Sequence, residues 1–180
     1  MKKKGGDMSM KLNKTLLKDW RSFIWVIGLL LLAITISCKQ KAGENIIESR
    51  DFTFKESNVV GRHNADRAFD KSIAPDNFWE STNFPIWLQL DSAKSKKIIK
   101  YVFHIGEDAT RTPKDWRFQG SNDGTSWTDL DTQANQTNWK SNEERFYNIS
   151  NPGNYKIYRF YFTLGIHPEI LRIYEIKVFE

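Results

Sequence analysis

Residues 113–127 read PKDWRFQGSNDGTSW and indicate the fold most clearly. The pair Asp123-Gly124 stands between two runs rich in apolar and aromatic residues. Such a pair favours a β-hairpin, because the tight primed turn requires positive φ. Working outward, similar short runs recur along the chain, with alternating or β-branched residues at positions 51–57, 86–90, 98–105, 145–149, 155–164 and 171–179.

Only residues 64–69 have the pattern of a helical turn, and no segment has that of a long amphipathic helix. About eight short strands at regular spacing therefore predict an all-β fold, an antiparallel β-sandwich. Tyr158, Phe160 and Phe162 share one face of their strand by period-2 spacing, so we predict that they belong to the core.

The charge of the chain is distributed unevenly. The sequence has 180 residues, with 27 Lys and Arg against 22 Asp and Glu and a net charge of +5. Residues 1–37 hold seven of these basic and two of these acidic residues, so residues 38–180 carry no net charge. A protein that neutralises nucleic-acid phosphates needs a basic surface, and this balance argues against that class.

An uncharged run, FIWVIGLLLLAITI at residues 23–36, follows the basic N-terminal stretch. As a helix it would extend about 21 Å, short of the roughly 30 Å hydrocarbon core of a membrane. A basic stretch, an apolar run and small residues, in that order, are typical of an export signal. The single cysteine, Cys38, follows Thr35-Ile36-Ser37 and resembles the acylated cysteine of a bacterial lipobox.

We therefore predict a lipoprotein signal peptide at residues 1–37, lipidated Cys38 with a polar tether at 38–50, and a domain at 51–180. Two or more acyl chains would hold the protein stably on a membrane. Lys39 follows the cysteine, whereas an Asp at this position would resemble the inner-membrane retention signal of some bacteria. We therefore expect the protein at the bacterial outer membrane or cell surface. A short transmembrane anchor with an incidental cysteine is the alternative.

Several strings within residues 51–180 resemble one family, namely AFD at 68–70, NFWES at 77–81, WLQLD at 87–91, PKDWRFQGSNDG at 113–124 and LRIYEIKVF at 171–179. Their order and spacing are similar to those of the coagulation factor V/VIII type C, or discoidin, domain. Bacterial members are often family-32 carbohydrate-binding modules. The resemblance implies an eight-stranded, galactose-binding-domain-like jelly roll with a structural calcium ion and a sugar site on its loops.

For calcium, the resemblance implies side-chain ligands at Asp70, Asn77 and Glu175, with backbone carbonyls near Arg67, Ser72 and Tyr174. Calcium takes about six to eight oxygen ligands, which such a set could provide. Lys71 stands where the family usually has glycine. The alternative is that Asp70 caps a turn and Glu175 faces solvent.

Sugar recognition needs an aromatic face for the C–H patch of a pyranose ring and charged or amide groups for its hydroxyls. By the family layout, candidates on the loops at one end are Glu80, Phe84, His104, Glu107, Asp108, Arg111, Trp139 and His167. Trp139 lies in the polar stretch QANQTNWKSNEE, where it could be a platform for sugar or a packing residue. We assign Trp79, Trp87, Trp116 and Trp127 to the core.

Catalysis finds no support in the sequence, which has no Gly-x-Ser-x-Gly elbow, phosphate-binding glycine loop or His-Glu-x-x-His motif. The sequence favours a non-catalytic, lipid-anchored carbohydrate-binding module that holds a terminal, galactose-type sugar. The alternative is an adhesion or scaffold protein that binds another protein through the same loops. Phospholipid binding ranks last, because the loops are mainly polar.

Overall fold

The computed structural model describes Gly43, residues 45–47 and residues 51–180. The predicted signal peptide, Cys38 and most of the predicted tether lie outside these residues. No helix within the described part of the chain is long and apolar enough to span a membrane.

The described domain consists of short β-strands and two 3-10 turns. The strands are β1 (Phe52–Glu56), β2 (Trp79–Thr82), β3 (Ile86–Lys97), β4 (Lys100–His104), β5 (Pro113–Ser121), β6 (Thr128–Gln133), β7 (Glu144–Asn148), β8 (Asn154–Gly165), β9 (Ile170–Ile173) and β10 (Glu175–Phe179). The 3-10 turns cover Ala65–Ala68 and Ala109–Arg111, and the first of them confirms the helical turn predicted at 64–69.

These strands form a five-stranded sheet in the order β1-β3-β8-β5-β6, a three-stranded sheet β10-β4-β7 and a two-stranded sheet β2-β9. All paired strands are antiparallel. The two larger sheets together contain the eight strands of the predicted sandwich, and the pair β2-β9 is additional. The predicted all-β antiparallel fold is confirmed.

The core lies between the two larger sheets and is rich in aromatic residues. Tyr158, Phe160 and Phe162 of β8 are fully buried, as the period-2 pattern predicts. Phe103 of β4 meets Phe160 edge-to-face, with ring centroids 5.1 Å apart. Aromatic pairs in this geometry contribute about 0.5–1.5 kcal/mol beyond the burial of their area. The packing therefore joins the sheets through side chains from both.

The tryptophans assigned to the core separate into two pairs. Trp79 and Trp116 are 0% and 1% exposed, whereas Trp87 and Trp127 are only half-buried. The prediction is wrong for Trp87 and Trp127. The residues on either side of Trp87 in β3 are fully buried, and successive side chains of a strand point to opposite faces, so Trp87 points outward.

The hairpin predicted at Asp123-Gly124 forms between β5 and β6, but its loop covers residues 122–127 rather than a two-residue turn. Gly124 has the expected positive φ of 73°. Asp123 Oδ1 accepts hydrogen bonds from Thr125 N at 2.8 Å and Ser126 N at 2.7 Å. The aspartate stabilises the wider loop because its side chain satisfies backbone amides there.

Residues 45–47, which the sequence assigns to the tether, pack against β10. Ile46 N donates to Val178 O at 2.9 Å, and Asn45 Oδ1 accepts from Val178 N at 3.1 Å. Ile47 is 1% exposed within the core. The packed part of the chain therefore begins before residue 51, because these residues cover the edge of β10.

Candidate functional site

Glu80 of β2 is the centre of a group of ion pairs. Its Oε2 atom accepts from Arg172 Nε at 2.8 Å and from Arg111 Nη1 at 3.2 Å, and it lies 2.7 Å from Arg172 Nη2. The β2-β9 register places Arg172 opposite Glu80, and the second 3-10 turn supplies Arg111. The side chain of Glu80 is only 10% exposed, so two guanidinium groups fix a nearly buried carboxylate.

Arg111 connects Glu80 to a second carboxylate. Its Nε atom lies 3.3 Å from Asp108 Oδ2, while Thr110 N donates to Asp108 Oδ1 at 3.0 Å. Hydrogen bonding from Thr110 is the main cause that lowers the pKa of Asp108 below its ordinary value. Arg111 and Asp108 are 32% and 34% exposed, so their polar atoms form the open edge of the group.

Aromatic rings support the other side of this group. The Arg172 guanidinium lies 3.8 Å from the centroid of the Phe78 ring, and the His63 ring stacks on Phe78 at 4.0 Å. The Nδ1 atom of His63 is buried and has no hydrogen-bond partner among the described residues. We call the whole group the Glu80 cluster, made of His63, Phe78, Glu80, Asp108, Arg111 and Arg172.

The fold thus brings together three of the residues predicted for the ligand site, Glu80, Asp108 and Arg111. Sequence reasoning missed His63, Phe78 and Arg172. Alternation offered a signal for Arg172, because Leu171 and Ile173 on either side of it are apolar and fully buried. Nothing local indicated His63, whose role depends on its contact with Phe78.

Phe84 and His167, on two neighbouring loops, both lie close to Gly165. A Cβ atom at Gly165 would lie 2.8 Å from Phe84 Cζ and 3.0 Å from His167 O. The same loop is joined to the chain beside Arg111, since Ile166 N donates to Thr112 O at 2.9 Å. These two predicted residues therefore lie on loops next to the turn that carries Arg111.

The His167 ring also has a local structural role. Its Nδ1 atom accepts from Glu169 N and Ile170 N, each at 3.2 Å. This imidazole therefore stabilises the turn that leads into β9. Glu107, another predicted ligand residue, is exposed, and its backbone oxygen accepts from Ser141 Oγ at 2.8 Å.

Trp139 belongs to the core, which decides between the two alternatives left open for it. The residue is 8% exposed, and its Nε1 atom donates to Pro113 O at 2.9 Å. The Arg145 guanidinium covers the ring, 3.8 Å from its centroid. The assignment of Trp139 to a sugar platform is wrong, because its polar atom and one face are already occupied.

The sequence predicts His104 as a residue of the ligand site, but this residue of β4 is not part of the Glu80 cluster. It is 8% exposed, and its Nδ1 atom lies 3.6 Å from Glu144 Oε1. Burial is the main cause that lowers its pKa. With Lys71, Glu175 and other residues it lines a separate cavity of about 730 Å³.

The predicted calcium ligands lie close together beside this cavity. Asn77 Nδ2 donates to both carboxylate oxygens of Asp70 at 2.8 Å and to Ser72 O at 3.2 Å. Three oxygen atoms therefore converge on one nitrogen atom. Arg67 donates to Asn77 Oδ1 at 2.9 Å, and Lys71 adopts φ of 67°, the region that favours glycine.

Glu175 completes this group and is 1% exposed, so the alternative in which it faces solvent is wrong. Its Oε2 atom accepts from Lys71 N at 3.0 Å, but Oε1 is buried without a partner in the described part of the chain. Burial raises its pKa to about 8, with a further contribution from the charge of Asp70. Asp70 does cap a turn as well, accepting from Ser72 N at 2.9 Å.

The oxygen atoms of this group fit the preference of calcium for hard ligands. No three His, Cys, Asp or Glu side chains within residues 51–180 surround a common point. A cation here would therefore depend on two carboxylates, Asp70 and Glu175, on carbonyl oxygens, and on an Asn77 amide that turns its oxygen to where its nitrogen now faces Asp70. The unpartnered Oε1 of Glu175 is the observation that most favours a cation, since a buried polar atom without a partner is costly.

Comparison with known proteins identifies one family. The model of the F5/8 type C domain matches residues 53–176. None of the curated proteins is a significant match to the sequence.

Solved structures show the same fold at low sequence identity. The F5/8 type C domain of a Bacteroides fragilis protein is 14% identical with a TM-score of 0.63, covering 74% of this chain and 94% of that one. The family 32 carbohydrate-binding module of Clostridium perfringens NanJ, in complex with galactose, is 18% identical with a TM-score of 0.59, covering 72% and 93%. CpGH89CBM32-5 from Clostridium perfringens, in complex with GalNAc-β-1,3-galactose, is 13% identical with a TM-score of 0.60, covering 72% and 95%.

Proposed function

Because the chain belongs to the F5/8 type C domain family, we propose that it is a non-catalytic glycan-binding module whose sugar site is the Glu80 cluster. The observation that carries this proposal is the fixed pair of Glu80 and Arg111 at an open edge. Two similar structures hold galactose and GalNAc-β-1,3-galactose, which supports a terminal, galactose-type sugar as the ligand.

The geometry suits the recognition of sugar hydroxyls. Arg111 can donate from several N–H groups, while Asp108 and the second oxygen of Glu80 can accept. Neighbouring sugar hydroxyls would therefore have both a donor and an acceptor within the cluster. Glu80 and Arg172 hold these groups before the ligand arrives, which lowers the entropic cost of binding. The phenyl ring of Phe84, near Gly165 and the turn that carries Arg111, would provide apolar surface for the C–H face of a pyranose.

A glycan array with the purified chain in calcium-containing buffer tests this function. We expect a reproducible signal for one class of terminal sugar. Arg111→Ala is expected to lower affinity for that sugar by about tenfold or more, since it removes charged hydrogen bonds. Lys94→Ala, which also removes a positive charge but at an exposed position, is expected to leave the sugar affinity unchanged.

A blank array from folded protein would contradict the proposal and favour a protein partner at the same loops. An Arg111→Ala variant with unchanged sugar affinity would instead contradict the assignment of the site. The melting temperature of each variant, measured in the same buffer, distinguishes a lost contact from a lost fold.

We also propose that calcium is a structural ligand of this domain. Asp70, Asn77 and Glu175 would hold it through their side chains, and Arg67, Ser72 and Tyr174 through their carbonyls. The ion would supply positive charge to the buried carboxylate of Glu175 and would join β10 to the loop after the first 3-10 turn. It has no catalytic role in this proposal.

Chelation by EGTA is expected to destabilise the domain. A ligand at about 100 times its Kd stabilises the folded state by about 2.7 kcal/mol, or roughly 8 °C in Tm for a domain of this size. We expect Glu175→Gln to lose this response to calcium and Glu169→Gln, an exposed matched change, to keep it. Thermal unfolding with calcium, magnesium and EGTA measures the effect, and equal Tm values in all three would contradict it.

Finally, we propose that acyl chains on Cys38 anchor the protein at the outer membrane or cell surface. This proposal rests on the sequence of residues 23–38, namely the apolar run, the small residues and the single cysteine. Cys38→Ser is expected to move the protein from the detergent phase to the aqueous phase in a phase-separation assay. A variant that stays with the membrane would favour the transmembrane-anchor alternative.

A further inference from the structure

The outer face of the five-stranded sheet carries aromatic side chains that the Glu80 cluster does not use. Trp87 of β3 and Tyr161 of β8 are cross-strand partners, and both are half-buried on the side away from the core. Trp127, just before β6, lies at the same face because its ring contacts the Arg159 guanidinium. The solvent face of an antiparallel sheet is normally polar, so large aromatic residues there indicate a binding surface.

Arg159 of β8 lies among these rings. Its guanidinium is 3.8 Å from the centroid of the Trp127 ring and 5.0 Å from that of Tyr161. Its Nε atom donates to Gln119 Oε1 at 2.6 Å. The remaining N–H groups of the guanidinium, at Nη1 and Nη2, make no hydrogen bond to the described residues and are free to donate.

Two ion pairs lie on this face beside Arg159. Lys55 pairs with Asp91, and Arg117 lies 3.8 Å from Asp129. Arg159 contacts no carboxylate of the described residues within ion-pair distance. Asp129, which accepts from Gln119 Nε2 at 2.6 Å, is a nearby carboxylate whose charge acts on it, and burial is the main cause that lowers the pKa of Arg159. The Nη1 and Nη2 groups of a half-buried guanidinium that contacts no carboxylate are complementary to a ligand that brings one.

We propose that Trp87, Trp127, Arg159 and Tyr161, which we call the sheet-face site, bind a polysaccharide that contains uronic acid residues. A uronic acid offers a carboxylate for the guanidinium and an apolar C–H face for the rings. Neighbouring strands are about 4.8 Å apart. A face that extends from β3 across β8 to β6 is therefore wider than one sugar ring and suits a chain of several sugars. A neutral glycan would leave Arg159 without its anion.

This site is separate from the Glu80 cluster, because its residues lie on the five-stranded sheet rather than on β2, β9 and the second 3-10 turn. The two proposals can therefore fail independently. Arg111→Ala alters only the Glu80 cluster, and Arg159→Gln alters only the sheet-face site.

Calorimetric titration of the purified full-length chain with a hexamer of galacturonic acid tests the inference. The methyl ester of the same hexamer is the uncharged control ligand. We expect binding of the acid and at least about tenfold weaker binding of the ester, because the ester loses the charge-assisted hydrogen bonds. Arg159→Gln and Trp87→Ala are each expected to weaken binding of the acid by about tenfold. Trp87→Ala leaves the contact between Arg159 and Trp127 in place, so it is the variant less prone to misfold.

Lys94→Ala, which removes an exposed positive charge outside the sheet-face site, is expected to bind the hexamer with unchanged affinity. Absence of binding, equal binding of acid and ester, or unchanged affinity in both sheet-face variants would overturn the inference. So would equal affinity for a hexamer of glutamic acid, which would indicate an acidic peptide instead. Self-association that Trp87→Ala abolishes, without uronate binding, would identify the face as a contact between two copies of the chain.

Discussion

Trp139→Ala is expected to lower the free energy of unfolding by about 3–5 kcal/mol, the usual cost of removing a large aromatic side chain from a core. The residue is 8% exposed, and the change also removes the hydrogen bond to Pro113 O. The total free energy of unfolding of a small domain is only about 5–15 kcal/mol, so this change would remove a large part of the stability. Urea unfolding followed by near-ultraviolet circular dichroism measures this.

Trp139→Phe is the matched control, because it keeps an aromatic ring beneath Arg145 and loses the indole N–H. We expect it to cost about 1–3 kcal/mol, the usual penalty for an unsatisfied buried carbonyl and a smaller ring. A Trp139→Ala variant that unfolds at the same urea concentration as the unchanged chain but loses sugar binding would contradict the packing described above. It would restore Trp139 as a ligand residue.

Glu80→Ala is expected to abolish measurable sugar binding and to destabilise the domain. The change leaves Arg111 and Arg172 without the oxygen they share, and removing one partner of a nearly buried ion pair costs about 3–5 kcal/mol. Arg111, which is 32% exposed, keeps part of its hydration, so the lower end of this range is expected. Titration with the sugar found on the array and urea unfolding measure the two effects separately.

Glu107→Ala is the matched control for Glu80→Ala, because Glu107 is exposed and was also a candidate from the sequence. We expect it to change neither sugar affinity nor stability by more than about 0.5 kcal/mol. Glu80→Gln keeps the shape of the side chain and separates the contribution of charge from that of packing. Full sugar affinity in Glu80→Gln would show that the carboxylate charge does not contribute to recognition.

The fold was largely predictable because its signals are local. The alternation in β8 predicted its buried face, and the pair Asp123-Gly124 predicted the hairpin between β5 and β6. The same rule of alternation could also have placed Trp87 outside, since its neighbours in β3 are apolar. Family motifs outweighed alternation there, and the aromatic outer face was missed as a result.

The candidate site was only partly predictable because its members meet through tertiary contacts. Glu80 and Arg172 are 92 positions apart in sequence and meet because β2 pairs with β9. Trp139 stands in a polar stretch, and its burial depends on Pro113 and Arg145. No local pattern shows which charged loop residue will find such a partner.

The sequence by itself determined the all-β class, the family and the position of most strands, because strand periodicity and turn chemistry depend on neighbouring residues. Only the tertiary structure decided which polar residues form one site, which tryptophans face solvent and which carboxylate is buried without a partner. Each of these depends on pairs distant in sequence, such as Glu80 with Arg172 and Lys71 with Glu175, that strand pairing and loop packing bring within hydrogen-bond distance. Burial and charge pairing are therefore properties of the folded domain rather than of any segment of it.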